Sequence, residues 1–311
     1  MTGKLLITGA SGLLGLNLAL RCLDRTEVIG IANQTRLQSL PFELIQAELT
    51  QPGIFPDLLE KHQPDLIIHC AAMANVDDCE ARPQEAHHVN GLLPGELAAA
   101  AAERNIRFIH ISTDAVFDGV DSGENGYEEL DKTNPINVYA MSKLAGERSV
   151  LAANLNAVVA RVNFFGWSVS GTRSLSEFFY NNLNAGKSIF GFTDVFYTPL
   201  YVGDLAEILW KLGSSDVQGL YHVFGSRAIS KYQFGVMIAD RFVLDASLIQ
   251  PTSWRDAGLQ AVRSPNLIMN SQKLKQELGI SLVDPEESME HFYQDWHDGL
   301  PERLKSFHVD C

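Results

Sequence analysis

The 311-residue sequence predicts an α/β protein, a doubly wound parallel sheet with a smaller C-terminal region. Three observations lead there. Short apolar runs alternate with helical patterns through the first half, and the runs are nearly continuous, as strands covered by helices on both faces must be. A glycine-rich turn joins the first run to the first helix. Past Arg161 the alternation gives way to a Gly- and Ser-bearing loop, an aromatic helix and scattered short elements.

In chain order, residues 4–8 form the first strand, and Thr8-Gly9-Ala10-Ser11-Gly12-Leu13-Leu14-Gly15 leads into a helical pattern over 16–23. Glycines here let the backbone turn tightly and approach a pyrophosphate, while the free N–H groups and dipole of the helix face the anion. Their spacing is three and three, where the usual dehydrogenase fingerprint has two and three. The pattern gains weight from sitting between a strand and a helix at the start of a βαβ unit. Further strands are expected at 27–32, 42–47, 65–70, 107–111 and 157–161, with helices between them. Right-handed crossovers then place ligands at the carboxyl ends of the strands, beside the first. After the loop at 166–174, helical patterns cover 175–185, 202–212, 231–242, 271–278 and 286–297. The 202–212 helix is expected to return to the sheet. The division is therefore a Rossmann-type nucleotide-binding domain over 1–165, rejoined by 195–215, and a substrate-binding region formed mainly by 166–311.

The acidic balance, 38 Asp and Glu against 24 Lys and Arg for a net charge of -14, argues against nucleic acid or an anionic membrane as partner. Cys22, Cys70, Cys79 and Cys311 match neither a zinc or redox motif nor a disulfide scaffold, so a reducing cytoplasm is expected. The opening run is short, is broken by Gly9 and Gly12, and lacks a signal peptide's basic start and cleavage site. No stretch approaches the ~18 apolar residues of a membrane span. His87-His88 point in different directions on a helix and have no third ligand at a supporting spacing, so no metal is expected.

At the end of the second strand, Ala32-Asn33-Gln34-Thr35-Arg36 offers no carboxylate for an adenosine ribose. A neutral amide and a guanidinium accept a 2′-phosphate more readily, so NADP(H) is preferred and NAD(H) stays open; the bland alternative makes Arg36 a solvated loop charge. The turns after the third, fourth and fifth strands, with Glu48-Leu49, Ala71-Ala72-Met73 and Ser112, complete the expected cofactor surroundings. Tyr139-Ala-Met-Ser-Lys143 opens a helical pattern. A spacing of four puts phenol and ammonium on one face, where the charge can lower the phenol's pKa and reach a nicotinamide ribose.

Upstream lies Ile109-His110-Ile111-Ser112-Thr113-Asp114-Ala115-Val116-Phe117-Asp118-Gly119. With the glycine loop, Cys70-Ala71-Ala72 and Val89-Asn90-Gly91, the chain resembles the extended short-chain dehydrogenase/reductase family from end to end. Within it, Ser112 to Gly119, the run Val138 to Glu147, Phe196-Tyr197-Thr198-Pro199, Arg263-Ser-Pro265-Asn266 and Asn270-Ser271-Gln-Lys273-Leu274 are similar to the dTDP-4-dehydrorhamnose reductase branch. The resemblance implies a reduction of a keto group on a nucleotide-activated deoxysugar by NADPH. Thr113 would hydrogen-bond the carbonyl, Tyr139 would protonate the alkoxide, and Lys143 would orient cofactor and tyrosine. Asn90 would anchor the neighbouring helix or a proton-relay water.

Substrate contacts are expected from Asp114, Ala115, Val116, Asn163, Phe164, Trp167 and Arg263. Ala115 stands where that branch usually has Tyr and Phe164 near its usual Trp, which leaves the sugar open. The absence of Glu after Asp114 argues against a 4,6-dehydratase. Two other functions compete: a non-catalytic NADP-binding regulatory subunit like that of methionine adenosyltransferase, and an NAD-dependent sugar-nucleotide epimerase. The partner expected is a nucleotide-sugar, with room for a homodimer.

Overall fold

The computed structural model describes residues 3–256 and 264–308. The first half runs β1 (Lys4–Thr8), α1 (Leu13–Cys22), β2 (Glu27–Ala32), β3 (Glu43–Gln46), α2 (Ile54–His62), β4 (Leu66–His69), α3 (Val76–Ala81), α4 (Pro83–Ala86), a π-turn at His87–Leu92, α5 (Leu93–Ala102), β5 (Arg107–Thr113), α6 (Val138–Ala153) and β6 (Val158–Val162). The second half runs β7 (Phe164–Phe165), α7 (Leu175–Asn184), β8 (Ile189–Phe192), β9 (Phe196–Tyr197), β10 (Leu200–Tyr201), α8 (Val202–Gly213), β11 (Gly219–Val223), β12 (Ile229–Ser230), α9 (Lys231–Arg241), β13 (Ile249–Thr252), β14 (Asn266–Leu267), α10 (Gln272–Leu278), α11 (Pro285–His297) and α12 (Leu300–Ser306).

The central sheet is wholly parallel in the order β11-β6-β5-β4-β1-β2-β3. Its strands are apolar on both faces because both faces are covered. Leu5, Ile7, Ile68 and Ile109 pack with α1 and α8 on one side, while Leu6, Ile67, Phe108 and Val159 pack with α2 and α5 on the other. The strand order reverses between β1 and β4, so α1 and the crossover to β4 diverge there. The resulting crevice at the carboxyl ends is the place where such sheets take ligands.

Helix α8 rejoins the sheet beside α1, and the return goes further than the sequence suggested. Residues 219–223 form β11, which pairs with β6 at the sheet's edge. The remaining strands form small sheets of two or three strands. In one of them β14 lies parallel to β9, bringing Asn266 opposite Phe196.

A buried ion pair sets the depth of α6. Glu147 accepts from Arg161 Nε and Nη2 at 2.9 and 2.8 Å and from Ser112 Oγ at 2.6 Å, and Arg161 Nη1 reaches His222 Nε2 at 3.2 Å. Four elements, α6, β5, β6 and β11, are thereby held in register. Gly146 brings α6 close to the π-turn, since a Cβ there would stand 2.2 Å from the Asn90 carbonyl oxygen. π-turns of this kind gather at functional sites.

Candidate active site

A cavity of about 620 Å³ opens at the carboxyl ends of β1 to β6. Its floor is the glycine loop. Gly9 takes a φ of +68°, and a Cβ on it would lie 2.7 Å from the Ala71 nitrogen; a Cβ on Gly15 would lie 2.3 Å from the Gly9 carbonyl oxygen. The loop, α1 and the turn after β4 therefore touch backbone to backbone. Thr8 joins them: its hydroxyl accepts from the Ala71 N–H at 3.2 Å and bonds His69 Nδ1 at 2.6 Å. Gly12 caps α1 with no side-chain hydrogen bond, leaving the helix's first N–H groups turned to the cavity. Such a cradle fits a dinucleotide pyrophosphate.

Ser11, Leu13, Leu14, Leu49, Ala71 and Ala72 line the same wall. At its far end Asn33 donates to Glu48 at 2.6 Å, and Thr50 donates to the same carboxylate at 2.8 Å. These bonds hold Glu48 below the usual carboxylate range, the one from Thr50 most strongly, against the opposing effect of partial burial. A carboxylate thus stands near the end of β2 after all, contributed by the chain after β3. Arg36 is exposed and lies outside the cavity, while its neighbours Gln34 and Thr35 line it.

The reactive groups converge on the opposite wall. Thr113 ends β5, and its hydroxyl accepts from the Ala115 N–H at 3.2 Å. Asn137 caps α6 by accepting from the Ala140 N–H at 2.8 Å, which places Tyr139 and Lys143 one turn apart at the helix start, facing the cavity. The Tyr139 phenol and the Thr113 hydroxyl both line the cavity. Burial pushes that phenol up to about 12, and the Thr113 hydroxyl opposes the rise. Lys143 is brought down to about 8 by burial, with the Glu147 charge opposing. Its ammonium donates to the Ile111 carbonyl at 2.6 Å and lies 3.5 Å from His110 Nε2. The backbone carbonyl takes the lysine ammonium, and Lys143 is not among the groups that shift the phenol.

Asp114 lines the cavity beside them. Its carboxylate accepts from Thr113 at 3.1 Å and from Asn163 Nδ2 at 2.6 Å, and burial raises it to about 6. Phe164 and Ser112 also line the cavity.

Several expected contacts lie elsewhere. Asn90 is buried behind the wall, where it accepts from the Met73 N–H and donates to the Met73 carbonyl and Ser142, bracing the turn after β4. Met73 stands on that brace, outside the cavity lining. Ala115 is half-buried and also off the lining. Val116 packs into an apolar cluster with Phe117, Tyr127 and Phe224. Trp167 is core: its ring stacks on Phe292 at 4.3 Å and its Nε1 donates to the Phe292 carbonyl at 3.1 Å, so no face is left for a ligand. Arg263 lies outside the described residues.

The sequence reading passed over Arg173, an exposed residue of the cavity lining whose guanidinium makes no hydrogen bond or ion pair among the described residues. A basic residue in the loop after the sixth strand was the available signal. Beyond Asn163 and Phe164 a cavity of about 180 Å³ leads to Lys231, and one of about 470 Å³ follows, walled by Phe178, Phe179, Phe190 and Phe192.

The family described as RmlD substrate binding domain matches residues 3–297. A probable low-salt glycan biosynthesis reductase, Agl14, of Haloferax volcanii is 33% identical, covering 93% of this chain and 98% of its own. A dTDP-4-dehydrorhamnose reductase of Mycobacterium tuberculosis is 33% identical over 87% of this chain and 86% of its own. Methionine adenosyltransferase 2 subunit beta of Rattus norvegicus is 30% identical over 99% and 89%. Among solved structures, a hypothetical dTDP-4-dehydrorhamnose reductase from Sulfolobus tokodaii superposes with a TM-score of 0.78 at 28% identity, covering 92% of this chain and 98% of its own.

Proposed function

The chain belongs to the RmlD substrate binding domain family, and on that premise we propose that it is an NADPH-dependent reductase of a keto group on a nucleotide-activated 4-keto-6-deoxyhexose, acting in the cytoplasm. The carrying observation is the meeting of Thr113, Tyr139 and Lys143 with the glycine cradle in one cavity. The cofactor, when bound, supplies a hydride. Everything else falls to the chain's own side chains.

Tyr139 and Thr113 line one wall, where a carbonyl oxygen can accept from the phenol, and from Thr113 once its hydroxyl turns from Asp114. As charge develops on that oxygen, a prepositioned donor stabilises it, and Tyr139 gives up its proton to make the alcohol. Lys143, freed from the Ile111 carbonyl by a better acceptor, has the reach and the charge to hold a ribose hydroxyl. Asn33, Gln34 and Thr35 offer neutral donors at the end of β2, which favours the phosphorylated dinucleotide, whereas Glu48 keeps NAD(H) admissible. Arg173 stands where a diphosphate could be met, and the phenylalanine-walled groove lies next along that path. Ala115 and Phe164 leave the choice of sugar to experiment.

The test follows NADPH oxidation with a panel of nucleotide-linked 4-keto-6-deoxyhexoses, dTDP-4-dehydrorhamnose included. At least one should turn over with a kcat/KM on the order of 10⁴ M⁻¹s⁻¹ or more. A protein that binds NADPH yet oxidises it with none of them is instead a regulatory subunit of the methionine adenosyltransferase kind.

A further inference from the structure

Resting on the reductase reading, we propose that Asp114 is a positioning residue for Thr113: as the carboxylic acid it donates to the threonine oxygen and frees the hydroxyl hydrogen for the substrate carbonyl, and as the carboxylate it takes that hydrogen itself.

A hydroxyl has one hydrogen to give and two lone pairs to fill. The Thr113 hydrogen is given to Asp114 Oδ1 at 3.1 Å, and one lone pair accepts from the Ala115 N–H at 3.2 Å. Held this way, the hydroxyl has no hydrogen left for a carbonyl oxygen. Turning it away would strip a buried carboxylate oxygen of that donor, since Asp114 is only 3% exposed and Asn163 Nδ2 already serves the other oxygen at 2.6 Å. One proton on Oδ1 removes the conflict. The O–H of the acid then points at the second lone pair of Thr113, and the threonine O–H turns to the cavity. The Ala115 N–H keeps its acceptor and Asn163 keeps Oδ2, so every polar atom of the cluster is satisfied while the carbonyl gains a donor. No bond of the substrate changes in this step, and the proton comes from water through the open cavity.

Burial favours the neutral carboxyl and raises it to about 6. The titratable groups acting across it are Lys231 from α9, whose charge favours the carboxylate, and the Tyr139 phenol from α6, which is neutral in this range. Thr113, Asn163 and the Ala115 N–H are neutral donors. A carbonyl that accepts from Thr113 selects the acid form, so its binding must draw in a proton.

The test is calorimetry near neutral pH, in two buffers of different ionisation enthalpy, of a keto-sugar that the wild type reduces. It is titrated into the NADP⁺ complex, which has no hydride to give. The wild type should take up on the order of one proton per site. Asp114→Asn offers an N–H to Thr113 where the acid offers its O–H, so it should bind the sugar without proton uptake. Thr113→Val should also lose the uptake, and Thr113→Ser should keep it. In turnover with NADPH, wild-type kcat/KM should fall roughly tenfold per pH unit above the carboxyl's titration. Asp114→Asn should lose that limb and keep the separate one of Lys143, which burial brings down to about 8. A wild type that takes up no proton, uptake that persists in Asp114→Asn, or a carboxyl limb that survives the substitution overturns the proposal. Wild-type protein inactive on every keto-sugar would instead remove the reductase reading, and this role with it.

Discussion

Around the glycine loop the cavity floor is backbone, and in the groove beyond Lys231 the wall is side chain. The glycine loop meets α1 and the turn after β4 at distances no Cβ could share, 2.3 Å at Gly15 and 2.7 Å at Gly9. The groove beyond Lys231 is walled by phenylalanines, of which Phe178 and Phe190 remain 45% and 64% exposed. A backbone wall can be altered only by disturbing the fold. A side-chain wall can be rebuilt residue by residue while the sheet beneath it stays as it is. The difference predicts that changes in the first half act on whether the reaction occurs, and changes in the second on which molecule undergoes it.

The largest effect should fall on the reacting wall. Tyr139→Phe keeps ring and packing and removes the acidic hydrogen, so single-turnover hydride transfer should slow by about 10²- to 10⁴-fold with cofactor affinity little changed. Near-normal turnover would place the proton elsewhere. Next comes Trp167→Ala, which empties a core position stacked on Phe292 and should cost about 3–5 kcal/mol in chemical denaturation. An altered KM with unchanged stability would return Trp167 to the substrate. Arg173→Ala should raise KM for a nucleotide-sugar by roughly tenfold, the loss of one charge-assisted contact, and leave kcat in place. A fall in kcat alone would contradict the division drawn above. The smallest is Arg36→Ala: because the side chain is exposed and off the cavity lining, the dissociation constant of NADPH should change by less than about twofold, a solvated charge being screened. A tenfold loss specific to NADPH would instead put Arg36 on the 2′-phosphate.

The same contrast explains what could be read from the sequence. The alternation of apolar runs announced the doubly wound sheet, and residues 4–8 and 27–32 are β1 and β2 to the residue. β11 escaped because its His222 interrupts an apolar run, and only the fold shows the ring satisfied by Arg161 and by the carbonyls of Tyr127 and Asn270. The spacing of Tyr139 and Lys143 put both on one helix face and said nothing of the Ile111 carbonyl that draws the ammonium aside. Trp167 looked like a loop residue, since its partner Phe292 lies 125 positions further on. Arg173 and Lys231 entered no motif, being defined by a cavity that exists only once the second half folds over the first.

The return of α8 and β11 to the central sheet bears on how such a protein can be re-engineered or can evolve. The covering region is a series of excursions from one scaffold, each beginning and ending on the sheet or its flanking helices, and no single cut frees it. A new preference for a different sugar is therefore unavailable by exchanging one module. On the proposed reading it would draw on several separate stretches, among them Phe196 to Pro199 and Ser264 to Leu267, which are locked together where β14 pairs with β9.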